Sequence, residues 1–300
     1  MTPSAIPHVS SEFYVEEFNG DQPAPKDEVV KSIEQDPDVH ELFSLQKGAV
    51  IVTGGARGLG LTMAGAIVES GADVFCCDIL DVPSQVEWKQ LQAKAVKYGV
   101  IAKYYQMNII DVAGVTKCFE TIAGESRYPI SGFVAGAATM DEQLAIDYDM
   151  ETFSRLMRIN VDGTMITTQA AARLMKDSGR GGSIVIIASI SGQIANRGLF
   201  CSAYNTSKAA CLQLSRSLAV EWGQYKIRVN TISPGYIRTA MTNMLLADKP
   251  EILDRWQNDN PLSRIAWPSE LKGPAIYLLS KASSFVTGSD LRVDGGHCAW

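Results

Sequence analysis

Three histidines occur in 300 residues (His8, His40 and His297), and none stands at metal-ligand spacing from another ligand type. Metal-dependent chemistry is therefore not expected. No apolar run approaches the roughly 18–20 residues that span a bilayer. Met1 to Phe18 lacks the basic and apolar regions of a secretory signal, and is too acidic for a mitochondrial transit peptide. The six cysteines include no C-x-x-C pair, so reduced, mostly buried thiols in a cytoplasmic protein are expected. There is no basic stripe, which excludes nucleic acid as a natural partner and leaves a small-molecule substrate.

What is present is an ordinary globular composition, 46% hydrophobic and 20% charged, with a net charge of −6. That charge is uneven. Residues 1–46 hold ten Asp/Glu against Lys26 and Lys31, which is −8 and leaves +2 for the remainder. The same segment carries five prolines and no sustained periodicity, so it reads as a partly disordered N-terminal extension, or alternatively as a regulatory or oligomer-contacting arm.

From Lys47 onward, short β-rich runs alternate with amphipathic helical patterns. Strands are expected at Ala49–Thr53, Asp73–Asp78, Ile101–Met107, Gly132–Ala137, Ser183–Ser189, Ile227–Ser233 and Asp290–Val293. Between them lie helical patterns at Leu61–Ser70, Ser84–Tyr98, Val112–Glu125, Phe153–Lys176, Ala203–Trp222 and Pro268–Ser280. This alternation implies right-handed βαβ units, hence one doubly wound, Rossmann-type α/β domain over 47–300 with a mainly parallel sheet.

Thr53-Gly54-Gly55-Ala56-Arg57-Gly58-Leu59-Gly60 joins the first strand to the first helix. Glycines in that turn let backbone N–H groups approach a pyrophosphate, and the helix N-terminus adds favourable partial charge. Asp78 closes the second strand, where a carboxylate accepts both ribose hydroxyls of NAD and repels the 2′-phosphate of NADP. Arg57 argues the other way, since a guanidinium in the turn pairs with a 2′-phosphate. The aspartate is taken as the stronger signal, making NAD the expected cofactor and NADP the second choice.

Tyr204 precedes Lys208 by one helical turn, so both face the same way on one helix. An ammonium beside a phenol favours the phenolate, and such a tyrosine exchanges protons with an alcohol or carbonyl. The spacing alone also describes a solvated helix face. Its position after the strand ending in Ser189, downstream of a nucleotide-binding turn, gives it weight.

Together these motifs resemble the short-chain dehydrogenase/reductase family over nearly all of Lys47–Trp300. The turn through Gly54, Gly58, Leu59 and Gly60 looks like its T-G-x-x-x-G-x-G, and Asn160, Ser189, Tyr204 and Lys208 match its catalytic set. Pro234, Gly235, Ile237 and Thr239 lie in a P-G-x-I-x-T similar to the segment that receives the nicotinamide carboxamide. The resemblance implies that Tyr204 is the acid/base, Lys208 assists it and holds the nicotinamide ribose, Ser189 orients the reacting oxygen, and Asn160 anchors a water that links Lys208 to solvent. It also implies a homodimer or homotetramer.

Three departures stand out. The family's N-N-A-G reads Ala135-Gly136-Ala137-Ala138, which leaves room for the adenine ribose but removes two bracing asparagines. Their loss raises a second reading, a nucleotide-binding regulatory protein without turnover. Asn108, followed by Ile109, stands where an aspartate usually receives the adenine amino group, and its amide oxygen accepts the same bond. The loop between Ser189 and Tyr204 is longer than usual and resembles that of fungal-type sugar and polyol dehydrogenases.

Substrate contacts are expected from Ser191, Gln193 and Asn196 on that loop, and from Met241 and Met244 in a lid over residues 239–261. A polyol/ketose pair is the first expectation. The apolar lid would also suit a bulkier hydrophobic or secondary-metabolite ketone.

Overall fold

The computed structural model describes residues 37–300 apart from 240–241, 243–245 and 247–250. Val39–Trp300 forms one unit and Met1–Asp38 another, of which only Pro37 and Asp38 are described. The larger unit begins ahead of the compositional break at Lys47. Val39–Leu42 is a short helical turn, and Leu45 then donates its N–H to the Ser70 carbonyl at 2.9 Å.

Seven strands make one sheet: β1 Ala49–Thr53, β2 Asp73–Asp78, β3 Ala102–Gln106, β4 Ile130–Ala135, β5 Gly182–Ile187, β6 Ile227–Pro234 and β7 Asp290–Val293. Their spatial order is β3-β2-β1-β4-β5-β6-β7, and every pairing is parallel. The expectation of a mainly parallel sheet is met by one that is parallel throughout. A strand order that reverses beside β1 opens a crevice between the carboxyl ends of β1 and β4, where doubly wound sheets bind ligands.

Both faces of the sheet are covered, as a parallel sheet requires. Alternation along each strand divides its side chains. Ile51, Phe75, Phe133 and Ile184 pack under helices α3 (Val112–Glu125), α5 (Gly163–Asp177) and α6 (Ser202–Trp222). Val50, Val74, Val134 and Val185 pack on the other side, under α1 (Gly58–Glu69), α2 (Gln85–Tyr98) and α8 (Lys272–Leu279). Asp73 is fully buried at the start of β2, where its carboxylate accepts the Ile101 N–H at 2.8 Å and the Arg127 guanidinium through two nitrogens.

The helical pattern at Phe153–Lys176 is interrupted. It consists of α4 (Met150–Met157), a π-helical turn at Arg158–Asp162, and α5. One inserted residue frees carbonyls from the regular ladder and redirects side chains, as π-turns commonly do near functional sites. Asn160 sits at the centre of this turn. In the expected lid, α7 (Glu251–Asn258) is described, and its Ile252 and Trp256 are buried. Met241 and Met244 lie outside the described residues. No helix among the described residues is long and apolar enough to cross a membrane.

Candidate active site

The cradle after β1 is shaped by close backbone approach. Gly54 has φ +70°, and a Cβ there would lie 2.8 Å from the Gly136 carbonyl carbon and the Ala137 nitrogen. A Cβ on Gly60 would overlap the Gly54 carbonyl, backbone against backbone. Gly58 differs: at φ +62° it has nothing within 4 Å of the Cβ position, so it forms the open side of the turn. The first turn of α1 carries no acidic side chain, so its N–H groups would meet an anion without local competition. These features fit a pyrophosphate. Leu59 is half-buried and leans on the core beneath α1.

Asp78 sits at the end of β2 beside this turn. One carboxylate oxygen accepts the Ala56 N–H at 3.1 Å, the other the Leu80 N–H at 3.3 Å, and each oxygen retains a lone pair for a ribose hydroxyl. Arg57 is exposed and makes no hydrogen bond or ion pair among the described residues. Across the crevice, Gly136 donates its N–H to the Thr53 hydroxyl at 3.2 Å, a brace where the asparagines are missing. Ala135 ends β4 and Ala137 follows in the loop. Asn108 is exposed and its amide oxygen accepts the Ile110 N–H at 3.2 Å, while Ile109 is buried against the start of α5, where a Cβ on Gly163 would meet it at 2.6 Å.

The second cluster forms where β5 and α6 meet. Ser189, nearly buried just past β5, accepts the Ser191 N–H at 3.1 Å through its hydroxyl. Lys208 is 4% exposed and donates to the Ile187 carbonyl at 2.7 Å, with its Nζ 5.6 Å from the centre of the Tyr204 ring. Tyr204 is half-buried, and its hydroxyl has no partner among the described residues. Asn160 is engaged on every polar atom. Its amide oxygen accepts the Thr139 N–H at 2.8 Å, and Nδ2 donates to the Thr139 carbonyl at 2.8 Å and to the Ser207 hydroxyl at 2.9 Å. Ser207 in turn donates to the Tyr204 carbonyl at 2.8 Å. The main-chain oxygen of Asn160 accepts from Thr164 at 2.6 Å and from the Cys211 thiol at 3.4 Å. Asn160 thus ties the loop after β4 to the helix that carries Tyr204 and Lys208.

After β6, Gly235 donates to the Val293 carbonyl at 3.0 Å, and Ile237 bridges Ala266. Thr239 exchanges bonds with Thr242, its N–H reaching that hydroxyl at 2.6 Å. Of the expected substrate residues, Ser191 is buried and donates its N–H to Ser189, and Gln193 is exposed and donates to the Asp290 carboxylate. Asn196 is buried and donates to the Tyr236 hydroxyl at 3.4 Å. Tyr236 was not singled out by sequence. It lies inside the P-G-x-I-x-T segment as an unspecified position, and its neighbours come from distant parts of the chain.

Of two surface concavities, about 570 and 540 Å³, neither is lined by Ser189, Tyr204 or Lys208, while Tyr236 borders the second. The chemistry of the side chains, not the depth of a hollow, locates the site. Among the described residues no cluster of His, Cys, Asp or Glu could hold a metal ion.

Comparison with known proteins agrees with this geometry. A family model described as enoyl-(acyl carrier protein) reductase matches residues 54–297. A short-chain dehydrogenase/reductase, notP′ of Aspergillus versicolor, is 41% identical over 288 residues, covering 94% of this chain and 98% of its own. The ribulose-forming D-arabinitol 2-dehydrogenase of Candida albicans (strain WO-1) is 37% identical over 268 residues, with 86% and 95% covered. Among solved structures, the NADPH-dependent 3-quinuclidinone reductase of Rhodotorula rubra superposes with a TM-score of 0.80 at 32% identity, covering 89% of this chain and 97% of that one. The matches bring with them an NAD(P)-dependent oxidoreductase that acts on alcohol groups, and the chain belongs to the short-chain dehydrogenase/reductase family.

Proposed function

We propose that the chain transfers hydride between NAD(H) and a secondary alcohol/ketone pair, with a polyol and its ketose as the pair. The observation that carries the reaction is the placement of Tyr204, with an unspent hydroxyl, beside the buried Lys208 ammonium, which is tied to the Ile187 carbonyl two residues before Ser189. Tyr204 takes the proton from the substrate hydroxyl in oxidation and returns it in reduction. The Lys208 charge stabilises the phenolate that forms, and the same ammonium is within the helix turn that would hold a nicotinamide ribose. Ser189 donates to the reacting oxygen and fixes its orientation. The bound nicotinamide would supply the hydride chemistry.

The side chain of Asn160 is engaged by Thr139 and Ser207, which adds a positioning role to the water anchor implied by resemblance. The cradle at Gly54, Gly58 and Gly60 would hold the pyrophosphate, with Asn108, Ile109 and Ala135–Ala137 around the adenosine half. Asp78 carries the choice of NAD: an unphosphorylated ribose meets a carboxylate with free lone pairs, while a 2′-phosphate meets like charge. The exposed Arg57 favours NADP, the cofactor form that the names of the Rhodotorula enzyme and of a mannitol dehydrogenase of Hypocrea jecorina specify.

The polyol assignment rests on the relative that forms ribulose from D-arabinitol and on the polar Asn196 and Tyr236 beside the site. We read 1–46 as an extension appended to a catalytic domain over 47–300, in a cytoplasmic homo-oligomer. Light scattering tests the last point, and a monomeric mass would overturn it.

The direct test follows NADH absorbance over a panel of polyols and lipophilic secondary alcohols, with Tyr204→Phe in parallel. Turnover of polyols with NAD, lost by at least about 10²-fold in Tyr204→Phe while cofactor affinity persists, is expected. Activity confined to lipophilic ketones would transfer the assignment to a ketoreductase. A Tyr204→Phe protein as active as the parent would remove Tyr204 as the acid/base.

A further inference from the structure

Tyr236 is surrounded by polar groups that have nothing to bind. Its ring stacks on Trp256 at 4.1 Å and 8°, and meets His297 edge-on at 5.2 Å and 82°. Its hydroxyl accepts from Asn196, but the hydroxyl proton has no acceptor among the described residues. Trp256 and His297 are 2% and 9% exposed, and Trp256 Nε1 and His297 Nδ1 are both buried without a partner. Buried polar groups are normally satisfied, and a concentration of unsatisfied ones marks a place where another molecule supplies the bonds.

The location points to substrate. Tyr236 follows Gly235 directly, and Asn196 lies on the loop that begins at Ser189. Between them, the Cys201 thiol donates to the Asn205 side chain at 3.2 Å, immediately beside Tyr204. Three segments that each carry an active-site residue converge on this cluster. Its charge is also informative. The groups that touch Tyr236 directly, Asn196, Trp256 and His297, include no lysine or arginine. Of the arginines around the concavity that Tyr236 borders, Arg264 is paired with Glu270 at 2.6 Å and Arg292 donates to the Cys298 carbonyl at 3.2 Å, and the nearby Arg197 faces Asp259 at 3.7 Å. Burial pushes the Tyr236 phenol up, which keeps it a neutral donor. Such a surface suits an uncharged hydroxyl better than a carboxylate.

Building on the polyol reading above, we propose that Tyr236, supported by Asn196, binds a hydroxyl of the substrate remote from the carbon that exchanges hydride. Tyr236 donates its proton to that oxygen, and Asn196 holds the phenol from behind. Trp256 and His297 fix the ring, which makes the C-terminal tail a positioning element for substrate.

Tyr236→Phe removes the hydroxyl and keeps the stacked ring, so folding is expected to survive. The full-length protein is assayed on five- and six-carbon polyols and on 2-butanol, which has no remote hydroxyl. In Tyr236→Phe, KM for the polyol rises about tenfold or more, kcat changes by less than about threefold, and KM for NAD is unchanged. Kinetics on 2-butanol are unchanged. Asn196→Ser gives the same pattern with a smaller rise, and serves as an independent variant. An unaltered polyol KM, or equal losses on polyol and 2-butanol, overturns the proposal while leaving the polyol reading in place. A wild-type enzyme that turns over 2-butanol but no polyol overturns both.

Discussion

Ser207→Ala isolates one link in the site, and its consequence is calculable. Asn160 is 1% exposed and Ser207 fully buried, so no water replaces a lost partner. The substitution deletes the acceptor of an Asn160 Nδ2–H bond of 2.9 Å and the donor to the Tyr204 carbonyl at 2.8 Å. A buried N–H left unsatisfied costs about 1–3 kcal/mol. In a domain of this size each kcal/mol lowers the melting temperature by about 2–4 °C, so a loss of about 2–12 °C follows.

The catalytic effect is larger in relative terms. Thr139 on the loop after β4 and Tyr204 on α6 are held in common register by Asn160 and Ser207, and a displacement near 1 Å costs about 10²-fold in rate. Expected for Ser207→Ala is a kcat reduced about 10- to 100-fold with unchanged dinucleotide affinity. A global defect would weaken cofactor binding as well. Thr206→Ala is the control, because Thr206 is exposed and its hydroxyl only returns to the Ser202 carbonyl at 2.9 Å. Thermal melts and steady-state kinetics on both variants decide the matter. A Ser207→Ala enzyme with parental kcat and a melting temperature within about 1 °C would refute the brace.

Two further outcomes follow from the cradle and from surface charge. Gly60→Ala pushes a methyl group into the Gly54 carbonyl, so the turn must open and dinucleotide affinity, read by fluorescence titration, falls at least about tenfold. Gly58→Ala meets no atom and suffers only backbone strain of about 1–2 kcal/mol, so equal losses in the two variants would contradict the assigned geometry. Glu69 joins α1 to Lys94 at 2.6 Å and Lys272 at 3.1 Å. Its burial favours the neutral acid, but the two lysines outweigh it and hold the carboxyl below its ordinary 4.5. A depressed folded-state pKa gives stability that is present above 4.5 and lost as pH falls through the folded value. Glu69→Gln is therefore less stable than the parent near neutrality by up to about 1 kcal/mol, and the gap closes as pH falls through the depressed folded-state value. A gap that persisted in acid would assign the effect to packing.

The sheet was legible because strand periodicity reports which face each residue covers. Ile51 and Val52, or Val74 and Phe75, go to opposite sides as alternation requires. Helix ends were less visible where regular geometry fails. Nothing in the apolar spacing of Phe153–Lys176 distinguishes a continuous helix from one with a π-turn at Arg158–Asp162. The inserted residue leaves the flanking patterns intact and changes only the direction of Asn160. Similarly, the missing asparagines after β4 read as a defect. In three dimensions Thr53 and Asn160 brace that loop from a strand and a helix that sequence cannot place beside it.

The reaction and its substrate were unequally legible for a physical reason. Proton transfer needs groups at fixed mutual geometry, and one helix turn supplies it locally, so Tyr204 and Lys208 announce themselves by spacing. The substrate recognition proposed above draws on a loop after β5, a residue after β6, a helix within the expected lid, and the tail after β7. The tail itself is held by Asp294, which accepts the Gly296 and Cys298 N–H groups at 2.9 Å each, and by Asn260, which donates to the Asp294 carbonyl at 2.8 Å. Those bonds place His297 against Tyr236 without touching Tyr204 or Lys208. With substrate bound at Tyr236 as proposed, changes in the tail or the loop would alter which alcohol is accepted and leave Tyr204 and Lys208 in place.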